Sequence, residues 1–123
     1  MPDSVQGSAI TARLTPPAHS HIAIGRIVHF VLPRQNPDTE KPVIRPAIVV
    51  HVWSQSAVQL QVFYDGTNDN RYRFPHGAPP VGISTDIGWA TSVCYDGGET
   101  RRGDDGTDYE HYNPYTWHWP PRG

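Results

Sequence analysis

The chain has 123 residues, enough for one domain around one small core. Hydrophobic residues make up 37% and charged residues 18%, below globular averages, because thirteen prolines and eleven glycines take their place. A formal net charge of -2 excludes a global field that gathers nucleic acid or acidic membrane, and no apolar run reaches the length of a membrane span.

The cations are nine arginines and Lys41, which favours fixed, planar contacts over loose solvation. No basic region followed by an apolar core opens the chain, so the expectation is a protein made in a cytosol. Cys94 is alone, which rules out an internal disulfide. It ends an apolar run and is expected as a small core residue.

Residues 1–21 are polar, contain Pro16-Pro17 and show no sustained period. They read as an extended arm. The run Ile22 to Leu32 is rich in β-branched residues and too apolar for a surface helix, so it reads as a strand, ended by Pro33. Arg34 to Pro42 is a loop. Val43 to Trp53 is a second strand. Pro46 cannot donate to a ladder, so pairing is expected to start after it or on an edge. Ser54 to Ser56 turns the chain into Ala57 to Tyr64, where Val58, Leu60, Val62 and Tyr64 face one way. These two strands form a hairpin.

Asp65 to Asn70 is a turn cluster, and a long Pro- and Gly-containing loop follows to about Gly88. Trp89 to Tyr95 is a fourth strand. Gly97 to Asp108 reads as polar and flexible, and Tyr109 to Trp119 as a fifth, edge strand. No stretch has a convincing helical period. The pattern predicts an all-β fold, a small antiparallel SH3-like barrel over residues 22–95, with the arm before it. Residues 96–123 add a polar loop and an aromatic, Pro-rich tail. An OB-fold is the next candidate, but no helix is visible between its third and fourth strands.

The candidate chemistries are weak. Seven histidines invite a metal, but His19 and His21 have no C-x-x-C or H-E-x-x-H partner set. His29 and His51 sit inside strands and could pair across the sheet. Asp65, Asn68, Asp69 and Asn70, and Asp104, Asp105 and Asp108, supply oxygens for calcium but also explain themselves as turn formers. Ser92 and His118 belong to no nucleophile elbow. Arg71, Tyr72, Arg73 and Phe74 form a basic-aromatic run suited to nucleic acid, as do Arg101 and Arg102, but acids flank both. No cofactor is expected.

From Ile24 onward the chain resembles a family of small tailed-bacteriophage proteins. The shared runs are Gly25 to Phe30, Pro46 to Trp53, Val58 to Gly66, Trp89 to Val93 and Thr116 to Pro120. The resemblance implies a phage source and brings no established activity. A second likeness is to the MazF-type toxin ribonucleases, carried by Gly25 to Val28 and Arg45 to Val50. It implies an SH3-like barrel in which Arg45 helps cleave RNA, with Thr91 or Ser92 as the hydroxyl companion.

Tyr109, Tyr112, Tyr115, Trp117 and Trp119 are residue types that dominate contact surfaces and are the candidate partner-binding residues. Trp117 and Trp119 share a face if the tail is extended. They either plant in a partner or close the barrel against Trp53 and Trp89. The expected function is non-enzymatic: a capsid decoration or cement protein on the virion surface, contacting the major capsid protein or other virion proteins, with self-association left open. The alternatives are an intracellular accessory factor that binds a host protein or nucleic acid, and the MazF-like ribonuclease.

Overall fold

The computed structural model describes residues 13–17, 21–34, 36–65, 69 and 87–121. Among the described residues there are seven strands: β1 Ile27–Val31, β2 Ile44–Val52, β3 Ala57–Phe63, β4 Ile87–Tyr95, β5 Glu99–Arg102, β6 Asp108–His111 and β7 Thr116–His118. Strands β1-β2-β3-β4-β7 close into a barrel, and β5 and β6 form a separate two-stranded sheet. This is the all-β, small SH3-like barrel expected from the sequence. All barrel pairings are antiparallel except β4 with β7, which is parallel.

Alternation builds the core. Val28 and Phe30 of β1, Ala47 and Val49 of β2, and Val58, Leu60 and Val62 of β3 all point inward and are fully buried. Ala90, Val93 and Tyr95 of β4 complete the wall. Pro46 lies within β2 opposite His29, while pairing with β3 begins only at Ala47, where a donor is present again. Two bulges bend the sheet enough to close it. One extra residue lies in β2 between Val49 and His51, and one in β4 between Ala90 and Val93. Ser92 in the second bulge has φ 55°. The tail answers this irregularity: the Tyr115 hydroxyl accepts from the Thr91 backbone N–H at 3.1 Å and donates to the Thr91 carbonyl at 3.3 Å.

The expected boundary at residue 95 does not describe the barrel. Strand β7, from the segment read as a tail, pairs with both β1 and β4 and closes the wall. Nor is Tyr109 to Trp119 one edge strand, since β6 pairs with β5 and β7 enters the barrel. The segment after Gly97 is not a plain flexible loop, because β5 lies in it. Trp117 drives the closure. Its side chain is fully buried, its ring lies 4.9 Å from that of Tyr95, and its indole N–H donates to the Ser56 carbonyl at 2.9 Å.

A buried carboxylate anchors the crossover from β4 to β7. Asp96 is fully buried and accepts from Arg13 Nε at 2.6 Å and Arg13 Nη2 at 2.9 Å. It also accepts from the backbone N–H of Gly98 at 2.9 Å and of Asn113 at 2.7 Å. Burial alone raises its pKa, but the Arg13 and backbone donors outweigh this and hold it below the usual carboxylate range. The Asp96 N–H donates to the Trp117 carbonyl at 2.9 Å, and the Gly97 N–H to the Arg13 carbonyl at 2.7 Å. Arg13 is thus the one described part of the arm that clasps the barrel by its side chain.

A second anchor is Arg34, which donates to the Tyr112 carbonyl at 2.7 Å and the Glu40 carbonyl at 3.0 Å. Beside it lies buried His111, whose Nε2 is 3.0 Å from the Pro37 carbonyl. That contact requires the proton on Nε2, which leaves Nδ1 to accept from Arg13 Nη2 at 3.5 Å. Burial lowers the His111 pKa. The Pro37 carbonyl opposes this, and the cations of Arg101, Arg34 and Arg13 add to the lowering.

Two outcomes follow from this packing. Trp117→Ala should cost about 3–5 kcal/mol in urea unfolding, because it empties the barrel's closing layer. A Trp117→Ala variant as stable as the parent would place this side chain outside the core. The second outcome concerns acid. Burial holds the His111 pKa below its ordinary value in the native state, whereas the unfolded chain takes up a proton below about pH 6.5. The unfolding midpoint should therefore fall as pH drops from 8 to 5.5, with a shallower fall in His111→Gln.

Candidate functional site

The outer barrel surface carries two features, and strand alternation sets both. Residues next to the buried ones point outward, so β1 presents Ile27 and His29, β2 presents Pro46 and Ile48, β3 presents Gln61 and Phe63, and β4 presents Ile87 and Trp89.

The first feature is an apolar face. Register places Ile27 opposite Ile48, Ile48 opposite Gln61, and Gln61 opposite Trp89, in one row across four strands. The adjoining row contains Pro46 and the pair Phe63 and Ile87. Ile27 is 57% exposed, Trp89 49% and Ile87 47%. Scattered single apolar residues on a surface need no explanation, but a set of large ones in register is the mark of a contact surface.

The second feature is a pocket of about 390 Å³ on the outer face of β7, β1 and β2. Its floor is His29 with its register partners Pro46 and His118. Tyr112, Glu110, Pro42, Ile44, Arg45 and Pro121 form the walls. The His29 and His118 rings meet edge to face at 5.6 Å, and the Tyr112 ring stacks on His118 at 3.7 Å, within 5° of parallel. Gly98 makes that stack possible. Its φ of 84° is left-handed, and a Cβ there would stand 2.5 Å from Tyr112 Cε1. His118 is buried, and its Nδ1 has no hydrogen-bond partner. Burial first, and His29 second, push its pKa down to about 4, while burial lowers that of His29. Burial therefore favours the neutral form of both rings.

The five residues expected to bind a partner are engaged within the chain. Trp117 is core, the barrel-closing one of the two roles the sequence left open for it. The barrel needs its volume, and closure removes it from the surface. Trp119 is half-buried, edge to face with Trp117 at 5.5 Å, with the Arg26 guanidinium 4.7 Å above its ring. Tyr115 holds the β4 bulge and meets Phe30 edge to face. Tyr112 walls the pocket. Tyr109 lies on β6, with the Lys41 ammonium 5.6 Å from its ring centroid. The structure brings together Tyr112 and His118, and Trp117 and Trp119, but forms no free aromatic arm from them. Trp53 and Trp89, expected against the tail tryptophans, are instead exposed.

Other candidates resolve similarly. Arg45 lines the pocket, but its Nε and Nη2 donate to the buried Asp69 carboxylate at 2.8 and 2.7 Å. Asp69 also accepts from the Asp65 N–H at 2.8 Å, so its oxygens serve the turn and the ion pair. Thr91 and Ser92 lie at the β4 bulge, not among the residues lining the Arg45 pocket. Asp105 accepts from the Thr107 N–H, and Asp108 faces Arg102 at 3.4 Å. His51 packs edge to face on Trp53 rather than on His29. Arg71 to Phe74, Asn68, Asn70 and His19 lie outside the described residues.

Sequence reasoning missed the pocket, because its two imidazoles come from near opposite ends of the chain. The signal available was the shared outward phase of His29 and the position next to inward Trp117. No protein-family model, curated protein or solved structure matches the chain.

Cys94 corrects a further expectation. It is an exposed thiol on β4, one residue out of phase with buried Val93 and Tyr95. One equivalent of thiol should therefore react with a chromogenic disulfide reagent in the native protein, without denaturant. A thiol that titrates only after unfolding would return Cys94 to the core.

Proposed function

We propose that this protein is a non-enzymatic structural component of a bacteriophage particle, a capsid decoration module that contacts the major capsid protein through the outer face of its β1–β4 sheet. The observation that carries this reading is the row Ile27, Ile48, Gln61 and Trp89, apolar but for Gln61, with Phe63 and Ile87 beside it. The phage-like runs from Gly25 to Phe30, Pro46 to Trp53 and Trp89 to Val93 support the source. They also overlap this face, since Ile27, Pro46, Ile48 and Trp89 belong to them.

The physical case is one of display. A closed barrel has no free strand edge, so it cannot recruit a partner by adding a strand to its ladder. Its contacts must come from outward side chains. A tryptophan half out of the surface can contribute about 2 kcal/mol or more when a partner buries it. With the aromatic tail committed to closure, the contact surface moves from the tail to this sheet face.

Mass spectrometry of purified particles tests the reading. The protein should be present at hundreds of copies, in fixed ratio to the major capsid protein. Trp89→Asp should reduce that occupancy severely. Its unfolding midpoint should change little, within about 0.5 kcal/mol, because the residue faces solvent. Particles without the protein would end the proposal.

A further inference from the structure

The pocket at β7, β1 and β2 borders the contact surface above at Pro46, but its two imidazoles lie outside that surface. It has the makings of a ligand site of its own. We infer that His29 and His118 form a two-imidazole seat for a late first-row divalent metal ion, of which Cu²⁺, Ni²⁺ and Zn²⁺ are the chemical candidates.

Three observations support it. First, the two residues are direct register partners on antiparallel strands, so both side chains rise from the same face of the sheet. Second, the spacing is right. A metal about 2.1 Å from one nitrogen of each ring, at a tetrahedral angle, holds the ring centroids about 5 Å apart. They are 5.6 Å apart here. Third, His118 is buried with a ring nitrogen that has no partner, an unmet bonding capacity inside a packed wall.

The surrounding charge agrees. Arg45 is the cation on the pocket wall, and the bidentate pair with Asp69 cancels it. Glu110 is the carboxylate among the lining residues. It accepts from the Thr100 hydroxyl at 2.6 Å and leaves the pocket with a negative balance. Tyr112, stacked flat on His118, fixes that ring's plane as an outer-shell group does at a metal centre. Among the described residues, no group of three or more His, Cys, Asp or Glu side chains could hold a metal ion. The protein therefore supplies two ligands, and water fills the remaining positions. Such a site should follow the usual order of divalent affinities, with Cu²⁺ tighter than Ni²⁺ and Zn²⁺.

The test is calorimetric titration of the full chain, without an affinity tag, with Cu²⁺ and Ni²⁺ salts in a non-chelating buffer at pH 7.5. Electron paramagnetic resonance of the Cu²⁺ form reads nitrogen ligation directly. The double variant His19→Ala/His21→Ala serves as background, because those two histidines could bind copper by themselves. One ion per chain should bind in that background with two nitrogen donors, and His29→Ala should weaken it at least tenfold. His29 is the deciding position, since its side chain lies on the outer face and its removal leaves the core intact. His118→Gln, where it folds, should match it. No binding tighter than about 1 mM in the double-variant background would overturn the inference, as would affinity that His29→Ala leaves unchanged. Neither result bears on incorporation into particles.

Discussion

The structure depends on one buried carboxylate. Asp96 follows β4 just where the chain leaves the barrel, and the chain returns only at Thr116. The excursion is needed because β7 runs parallel to β4, and parallel neighbours cannot be joined by a tight turn. Bringing the ends of such a connection together costs entropy, which contacts at those ends must offset. Asp96 ties them. Its side chain gathers the N–H groups of Gly98 and Asn113, one at each side of the β5–β6 hairpin, and its own N–H holds the Trp117 carbonyl. Without a counter-charge such a group could not be buried, and Arg13 supplies that charge from the far end of the sequence.

The same interaction explains why a three-residue strand can close a barrel. Strand β7 has few ladder bonds to offer. Its hold comes from side chains on either side of the wall. Trp117 fills the interior, and its indole N–H shares the Ser56 carbonyl with the Tyr95 N–H. Outside, His118 lies under Tyr112, and Tyr115 bonds the bulge of β4. Tyr115 does so at φ 60°, an unfavourable backbone state for a bulky residue. The hydroxyl bonds to Thr91 and the Tyr115 N–H bond to the Val31 carbonyl offset that strain. The tail is thus a closing device fixed at several points, unlike a free arm awaiting a partner.

What the sequence discloses follows from range. The strict alternation of Val58, Leu60, Val62 and Tyr64 is local, and it identified β3 and its buried face correctly. The hairpin of β2 and β3 was equally legible, because only Ser54 to Ser56 intervene. Long-range closure was not legible. Nothing near Trp117 says that its neighbours will be Phe30 and Tyr95, and the polar composition of Gly97 to Asp108 hid β5. Cys94 misled for a related reason. An apolar run suggests burial on both faces, but the bulge beside Ser92 resets the phase, so Val93 and Tyr95 go in and Cys94 goes out. The histidine pair had only the outward phase of each strand as a signal. Metal spacing rules read ligands close in sequence, whereas His29 meets His118 only because β7 closes on β1.

One constraint then connects fold to function. A small closed barrel spends nearly all its inward positions on the core, so whatever the barrel wall recognises is read by outward positions on the same strands. In β1 the two roles alternate residue by residue: Val28 and Phe30 pack inside, while Ile27 and His29 face out. Ile27 opens the apolar row that runs to Trp89, and His29 opens the pocket that ends at Pro121. The pocket exists only because closure brings His118 alongside, and closure in turn rests on Trp117, one residue before it. Chemistry on this surface is therefore coupled to the integrity of the barrel. A change at Asp96 or Arg13, far from either feature, would act on the pocket by loosening the strand that forms its floor, and would leave the Ile27-to-Trp89 row, which β1 to β4 form by themselves, less affected.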